Sequence, residues 1–80
     1  MVLSITGTDR PGIVRDVTRA LVQGGANIVA FTTDAQEAPM AGGWLFRARA
    51  RARIAADAVD GLRAALEALQ DDLQVDLHAT

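Results

Sequence analysis

Apolar and polar residues follow a regular pattern in six consecutive segments of this 80-residue chain. Alternation with a period of two predicts half-buried strands, whereas apolar residues recurring every three or four positions predict amphipathic helices. The pattern predicts strands at 1–6, 27–33, 44–54 and 73–78, and helices at 11–23 and 57–70. A Pro/Gly-rich loop is expected over residues 37–43. The order of elements is therefore βαββαβ.

The third predicted strand has the clearest two-sided pattern. One face carries Phe46, Ile54 and the alanines between them, and the other carries only arginines, at Arg47, Arg49, Arg51 and Arg53. Such a strand buries one face and exposes a basic one. Trp44 shares the parity of the apolar face.

Each predicted strand has one apolar face and each helix has one apolar stripe. The two helices must therefore cover one side of a four-stranded antiparallel sheet. This is the ferredoxin-like α+β sandwich, a split βαβ motif. Right-handed crossovers place the first and third strands at the centre and the other two at the edges. Residues 1–80 are expected to form one domain, because a second would not fit.

Composition narrows the functional classes. The chain has no cysteine, which excludes disulfides, thiolate zinc sites and a cysteine nucleophile. No leader-like segment or membrane-length apolar run is present, so we expect a cytoplasmic protein without membrane association. A net charge of −2 gives no general attraction to nucleic acid. A domain this small is marginally stable alone, and oligomerisation is a common remedy.

The segment from Gly7 to Gly12 is the strongest candidate for a binding site. It joins the first strand to the first helix and contains two glycines, Asp9, Arg10 and Pro11. Pro11 is predicted at the first helical position, and Asp9 is expected to accept hydrogen bonds from the first helical amides. The remaining free amides form a site for an anion or carboxylate. Local sequence alone also fits an ordinary strand-to-helix turn.

Asn27, at the start of the second strand, offers donors and acceptors for an α-amino group. Its distance from the turn is not determined by the sequence, because the first helix carries the chain back to the opposite end of the sheet. A neighbouring copy of the chain could supply Asn27 instead.

Catalytic and metal sites are not indicated. His78 is predicted on the polar face of an edge strand, without a nucleophile or an orienting partner beside it. Asp71 and Asp72 are expected in a solvated turn. Arg10 and Asn27 occupy places roughly like those of the catalytic pair in acylphosphatases, but Asp9 and Pro11 weaken phosphate binding at this turn. We therefore expect no enzyme, no metal and no cofactor.

The arginine face allows two further functional interpretations, binding of nucleic acid and binding of an acidic protein partner. Sheets that bind RNA stack bases on aromatic side chains, and the parity of Trp44 and Phe46 places both on the opposite face. Asp34 and Asp76 also dilute the positive charge. Direct nucleic-acid binding is therefore not favoured, and a solvated face or one that meets an acidic protein partner fits better.

The chain resembles an ACT domain along its whole length. The resemblance is carried by Gly7-Thr-Asp-Arg-Pro-Gly-Ile-Val14, followed by Val17, Leu21, Gly25 and Asn27-Ile28. The turn is similar to that of a subgroup that includes the glycine cleavage system transcriptional repressor and formyltetrahydrofolate deformylase. Segments 38–46 and 66–77 are similar to the second ACT domain of that repressor type.

This resemblance implies a regulatory domain that dimerises and binds a small amino acid, such as glycine or serine, at the subunit interface. It implies that Asp9, Arg10, Pro11, Gly12 and Ile13 shape the pocket, that Asn27 and Ile28 complete it, and that the Gly12 amide holds the carboxylate. Control of glycine cleavage or one-carbon metabolism, with a regulatory protein partner, would fit such a sensor. A ligand-free dimerisation or protein-interaction module is the alternative.

Overall fold

A computed structural model of the protein describes residues 1–38 and 42–79. Its principal elements, in chain order, are β1 (Val2–Thr8), α1 (Ile13–Gln23), β2 (Asn27–Glu37), β3 (Trp44–Arg53), α2 (Val59–Glu67) and β4 (Gln74–His78). The strands form one antiparallel sheet in the order β2-β3-β1-β4. The predicted ferredoxin-like fold is thus confirmed, with β1 and β3 at the centre of the sheet.

The two faces of the sheet follow from the register of the strands. Ile5 lies opposite Ala48, and both are buried beneath the helices. Ser4 lies opposite Arg49 on the other face, which no helix covers. We call this uncovered side the open face.

The core lies between the helices and the covered face of the sheet. Ala48, Ala50 and Ala52 are each 1% exposed, and their small side chains leave room for the leucines of both helices. The buried cluster comprises Leu3, Ile5, Ile13, Val17, Ala20, Leu21, Phe46, Ala48, Ala50, Ala52, Leu62, Leu66, Leu73 and Val75. This cluster packs the covered face of β1 and β3 against α1 and α2.

Several element boundaries differ from the sequence prediction. Helix α1 begins at Ile13 rather than Pro11, because Gly12 takes a left-handed conformation with φ of 83° and forms the N-cap. Strand β2 continues to Glu37, since it pairs with β3 as far as Trp44. Helix α2 is shorter than predicted and follows a 3-10 turn at Ala56–Ala58. Residues 39–41 of the predicted loop lie outside the described residues.

Candidate functional site: the turn before α1

The turn from Gly7 to Gly12 is anchored to the sheet at its start and to α1 at its end. The Asp9 amide donates to the Trp44 carbonyl at 2.9 Å, which continues the pairing of β1 with β3. The Ile13 amide donates to the Arg10 carbonyl at 3.2 Å and closes the bend. Gly12 supplies the positive φ that directs the chain into the helix, a conformation that L side chains rarely adopt.

The start of α1 presents free backbone donors. The Asp16 amide donates to the Gly12 carbonyl at 3.0 Å, as the first regular helical bond. In the described part of the chain, the amides of Gly12, Val14 and Arg15 donate to no acceptor. No side chain caps the helix, so the expected cap by Asp9 is wrong, and Asp9 is exposed. Free amides at a helix N-terminus are suitable donors for an anion.

Arg10 is held beside this turn by its side-chain contacts. Its Nε donates to Gln70 Oε1 at 2.8 Å, and its Nη2 lies 3.0 Å from Asp16 Oδ2. Its Nη1 also donates to the Pro11 carbonyl at 3.3 Å. Arg10 therefore braces the bend, and much of its hydrogen-bonding capacity is already used.

Asp16 forms ion pairs with the two arginines beside Gly12, Arg10 and Arg15. The hydrogen bond from Arg10 is the main cause that lowers the pKa of Asp16, burial opposes it, and the nearby charge of Arg15 adds to the lowering. Arg15 Nε lies 3.5 Å from the Asp16 carboxylate. A Cβ atom at Gly12 would lie 3.2 Å from Arg15 Nη2, so a side chain there would crowd this guanidinium.

A second set of contacts comes from the far end of the chain. Gln70 Nε2 donates to the Thr8 carbonyl at 2.8 Å and to Asp72 Oδ1 at 2.7 Å. The Thr8 amide donates to Asp72 Oδ2 at 2.9 Å, and the Thr8 hydroxyl donates to the same oxygen. These bonds, led by that of the Thr8 hydroxyl, lower the pKa of Asp72.

Asp71 and Asp72 are exposed in a turn, as predicted, and Asp72 in addition binds the end of β1. Gly7 permits this approach, since a Cβ there would lie 2.8 Å from Leu73 Cδ2. Nothing local in the sequence links Gln70 or Asp72 to a turn about sixty residues away. The glycine at position 7 was the one sequence signal that another segment approaches the end of β1.

Asn27 and Ile28 lie at the opposite end of the sheet from the turn. Asn27 pairs with Arg53 on the open face, and Ile28 pairs with Ala52 on the covered face. Thr8, which begins the turn, pairs with Leu45. Residues 45 and 53 of β3 are separated by about 27 Å at 3.4 Å per residue. One copy therefore does not bring Asn27 to Arg10 or Gly12, and the two cannot act on one phosphate as an acylphosphatase pair.

Other candidate chemistry is sparse in the described residues. His78 is exposed on β4, opposite Val2. Residues 1–38 and 42–79 contain no cluster of three or more side chains that could hold a metal ion. None of the described helices is long and apolar enough to cross a membrane.

Comparison with known proteins agrees with the sequence resemblance. Residues 1–35, which span β1, the turn, α1 and most of β2, match the family model of the ACT domain. No curated protein matches the chain significantly.

Solved structures extend the likeness to the whole fold. An unknown protein from Galdieria sulphuraria is 33% identical with a TM-score of 0.82, and the match covers 99% of this chain and 47% of that one. A formyltetrahydrofolate deformylase from Pseudomonas putida is 22% identical with a TM-score of 0.75, over 99% of this chain and 28% of the deformylase. The ACT domain from GTP pyrophosphokinase of Chlorobium tepidum is 19% identical with a TM-score of 0.72, over 94% and 91%.

The chain thus spans about half the length of the Galdieria protein and under a third of the deformylase. The likenesses to the deformylase and to the pyrophosphokinase domain, at these identities, concern the fold. ACT domains are generally regulatory ligand-binding domains and are not catalytic by themselves. Residues 1–35 are thus similar in sequence to the ACT domain family, and the whole chain shares the fold of solved ACT domains.

Proposed function

We propose that this domain is a regulatory sensor that binds a small amino acid at the turn before α1, between two copies of the chain. The observation that carries the proposal is the start of α1, where Gly12 opens the helix and leaves three amides without acceptors in the described residues. The ligand's α-carboxylate would bind these amides, with Asp9, Arg10, Pro11 and Ile13 forming the wall around it.

The electrostatics of the turn favour a carboxylate. The N-terminus of α1 carries partial positive charge, and the guanidinium groups of Arg10 and Arg15 lie beside Gly12. Asp16 neutralises part of this charge and fixes Arg10. The Arg15 side chain is 70% exposed, and a bound carboxylate would compete with Asp16 for its guanidinium.

The second wall is proposed to come from another copy that pairs along β2. This strand is an 11-residue edge strand, and long exposed edges are sites of strand pairing. Val14 and Val22 lie on α1, the helix that contacts β2. They are 42% and 63% exposed, and Val29 in the β2 bulge is 53% exposed. Pairing would bury these valines.

Antiparallel pairing of β2 with its own copy would bring the partner's Asn27 to the turn. With a two-fold axis near Thr32, Asn27 of one copy lies opposite Gln36 of the other, because the bulge between Ile28 and Ala30 adds one residue to that half of β2. The Glu37 end of β2 is the end of the sheet at which the turn lies. Asn27 and Ile28 of the second copy would then complete the site, with Asn27 binding the α-amino group.

The resemblance of the turn and of segments 38–46 and 66–77 supports a ligand of the glycine or serine type. It also supports a role in the control of glycine cleavage or one-carbon metabolism in the cytoplasm. Binding at an interface stabilises the dimer by mass action. That shift is a sufficient regulatory signal for a partner protein without a large conformational change.

The test is thermal unfolding in the presence of glycine, serine and other amino acids, with acetate as a control that lacks the amino group. At a concentration 100 times Kd, binding adds about 2.7 kcal/mol of stability, which raises Tm by roughly 10–20 °C in a domain of this size. Acetate should give little or no shift. No shift with any amino acid at millimolar concentration would refute the sensor.

Two substitutions locate the site within this assay. Gly12→Ala should abolish the ligand shift, because it strains the left-handed N-cap and crowds Arg15. Gly42→Ala is the matched control, since φ is 73° there and a Cβ atom would meet nothing within 4 Å. Both variants lose about 1–2 kcal/mol of stability from the backbone, but only Gly42→Ala should keep the shift. Asn27→Ala should also abolish it without changing the fold.

A ligand-free dimerisation module is the second candidate function. The exposed valines along the β2 edge favour it, because their burial needs no ligand. Sedimentation equilibrium without amino acids distinguishes the two. A tight dimer whose dissociation constant no amino acid changes would support the module, and a dimer strengthened by glycine or serine would support the sensor.

A further inference from the structure

The open face of the sheet carries a row of four unpaired arginines. Arg47, Arg49, Arg51 and Arg53 are all exposed and project from the central strand β3. Among the residues that the structure describes, none of these side chains forms an ion pair or a hydrogen bond. The row extends about 20 Å at 3.4 Å per residue.

Arg47, Arg49, Arg51 and Arg53 form a ridge, because the residues on both sides of the row have smaller side chains. On the β2 side the ridge is flanked by Ala30 and Thr32, and on the β1 side by Val2, Ser4 and Thr6. Two hollows adjoin the row and share Thr32 and Arg49. One, of about 300 Å³, also reaches Arg51 and Val2 of β1, and the other, of about 270 Å³, also reaches Arg47 and Asp34.

The charge on this face calls for an anionic occupant. Four like charges on alternate positions of one strand repel one another, and Asp34 opposite Arg47 is the nearest acidic residue by register. A second copy placed face to face on β3 would set arginine against arginine. The complementary surface must therefore come from an acidic molecule of another kind.

Polypeptide fits better than nucleic acid. The aromatic residues of the chain, Phe31, Trp44 and Phe46, lie by register on the covered face, so no aromatic ring is available on the open face to stack a base. Asp34 lies beside Arg47, and Asp76 lies on β4 beyond Ser4; both would repel a phosphate backbone. In a partner protein, by contrast, basic residues next to the acidic ones can pair with Asp34 and Asp76.

We propose that the open face binds an extended acidic segment of a partner protein, whose carboxylates at alternate positions pair with Arg47, Arg49, Arg51 and Arg53. Alternate residues of an extended chain repeat at about 6.6–6.8 Å, which is also the spacing of arginines along β3. Guanidinium groups bind carboxylates in bidentate geometry. The face lies on the side of the sheet away from the helices, so the partner can bind without covering α1.

The test uses a fluorescent nine-residue peptide with glutamate at alternate positions and threonine between them. Binding is measured by fluorescence anisotropy at low and at physiological salt, with a peptide that has glutamine at the same positions as the comparison. The glutamate peptide should bind at least tenfold more tightly than the glutamine peptide. Its affinity should fall as salt rises, because the contacts are exposed ion pairs.

Two double variants separate the ridge from net charge. Arg49→Ala with Arg51→Ala should weaken binding of the glutamate peptide at least tenfold. Arg19→Ala with Arg63→Ala removes the same charge from exposed positions on the helices and should leave the affinity within about twofold. Neither pair lies in the core, so far-UV circular dichroism should show the same fold for both.

Three binding results would overturn the proposal, and so would one result on self-association. The binding results are no binding of the glutamate peptide at millimolar concentration in low salt, an equal loss of affinity in both double variants, and tighter binding of single-stranded oligonucleotides of similar length. Self-association in low salt that disappears with Arg49→Ala and Arg51→Ala would likewise overturn it, in favour of a second copy.

Discussion

Replacing Gln70 with alanine is expected to release the turn before α1 from the end of the chain. The Gln70 side chain makes three hydrogen bonds, to Arg10 Nε, to the Thr8 carbonyl and to Asp72 Oδ1, at 2.7–2.8 Å. All three partners are accessible to water after the change. Each bond therefore contributes near the lower end of the usual range, about 0.5 kcal/mol, and the sum is about 1.5 kcal/mol.

The assay is urea unfolding and thermal unfolding followed by far-UV circular dichroism, since Trp44 is 54% exposed and is a weak fluorescence reporter of the core. A loss of about 1.5 kcal/mol lowers Tm by roughly 6–12 °C in a domain of this size. Gln23→Ala is the control, because Gln23 is exposed at the end of α1 and makes no side-chain hydrogen bond in the described residues. It should change stability by less than about 0.5 kcal/mol.

A double-mutant cycle with Arg10→Ala tests whether the contact itself is responsible. Because Arg10 and Gln70 bond directly, their effects should be non-additive by at least about 0.5 kcal/mol. Strict additivity, or equal effects of Gln70→Ala and Gln23→Ala, would refute the structural role assigned to Gln70.

Three further predictions concern the same framework. The hydrogen bonds of Asp72 lower its pKa in the folded state. The ionised carboxylate therefore stabilises the fold fully above the ordinary carboxyl pKa of about 4, and this stabilisation is lost as the pH falls through the lower pKa of the folded state. Asp72→Asn should flatten this loss of stability at acidic pH in unfolding curves from pH 6 to 2. Gly24→Ala should lower the free energy of unfolding by about 1–3 kcal/mol, because its Cβ would overlap a buried leucine of α2. Gly61 has open space around it, so Gly61→Ala should raise that free energy by up to about 1 kcal/mol in the same urea assay. Val22→Asp should weaken the proposed dimer in sedimentation equilibrium, and the same substitution at exposed Ala65 on α2 should not; equal effects would remove the β2 edge as the interface.

The sequence predicted those features that depend on local periodicity. The alternation of alanine and arginine along β3 identified the buried and open faces correctly, and the order of strands followed from crossover handedness. The boundaries that failed depend on tertiary pairing: β2 continues to Glu37 because β3 offers partners, and α1 starts late because Gly12 is left-handed.

The candidate site was predictable only in part. The turn was recognised from its glycines and proline, but Gln70 and Asp72 reach it from the other end of the chain and carry no local signal. The separation of Asn27 from the turn also needed the register of β2 on β3. That separation is the reason the proposed site requires a second copy of the chain.

The most direct test of the amino-acid site is a titration of the ¹⁵N-labelled protein with glycine and serine, followed through its ¹H–¹⁵N correlation spectrum. The site predicts saturable shifts of the Gly12, Val14 and Arg15 amides, together with the Asn27 side-chain amide, at one common dissociation constant. Acetate should not reproduce them. An unchanged spectrum at millimolar amino acid, or shifts that leave these groups unaffected, would contradict the account.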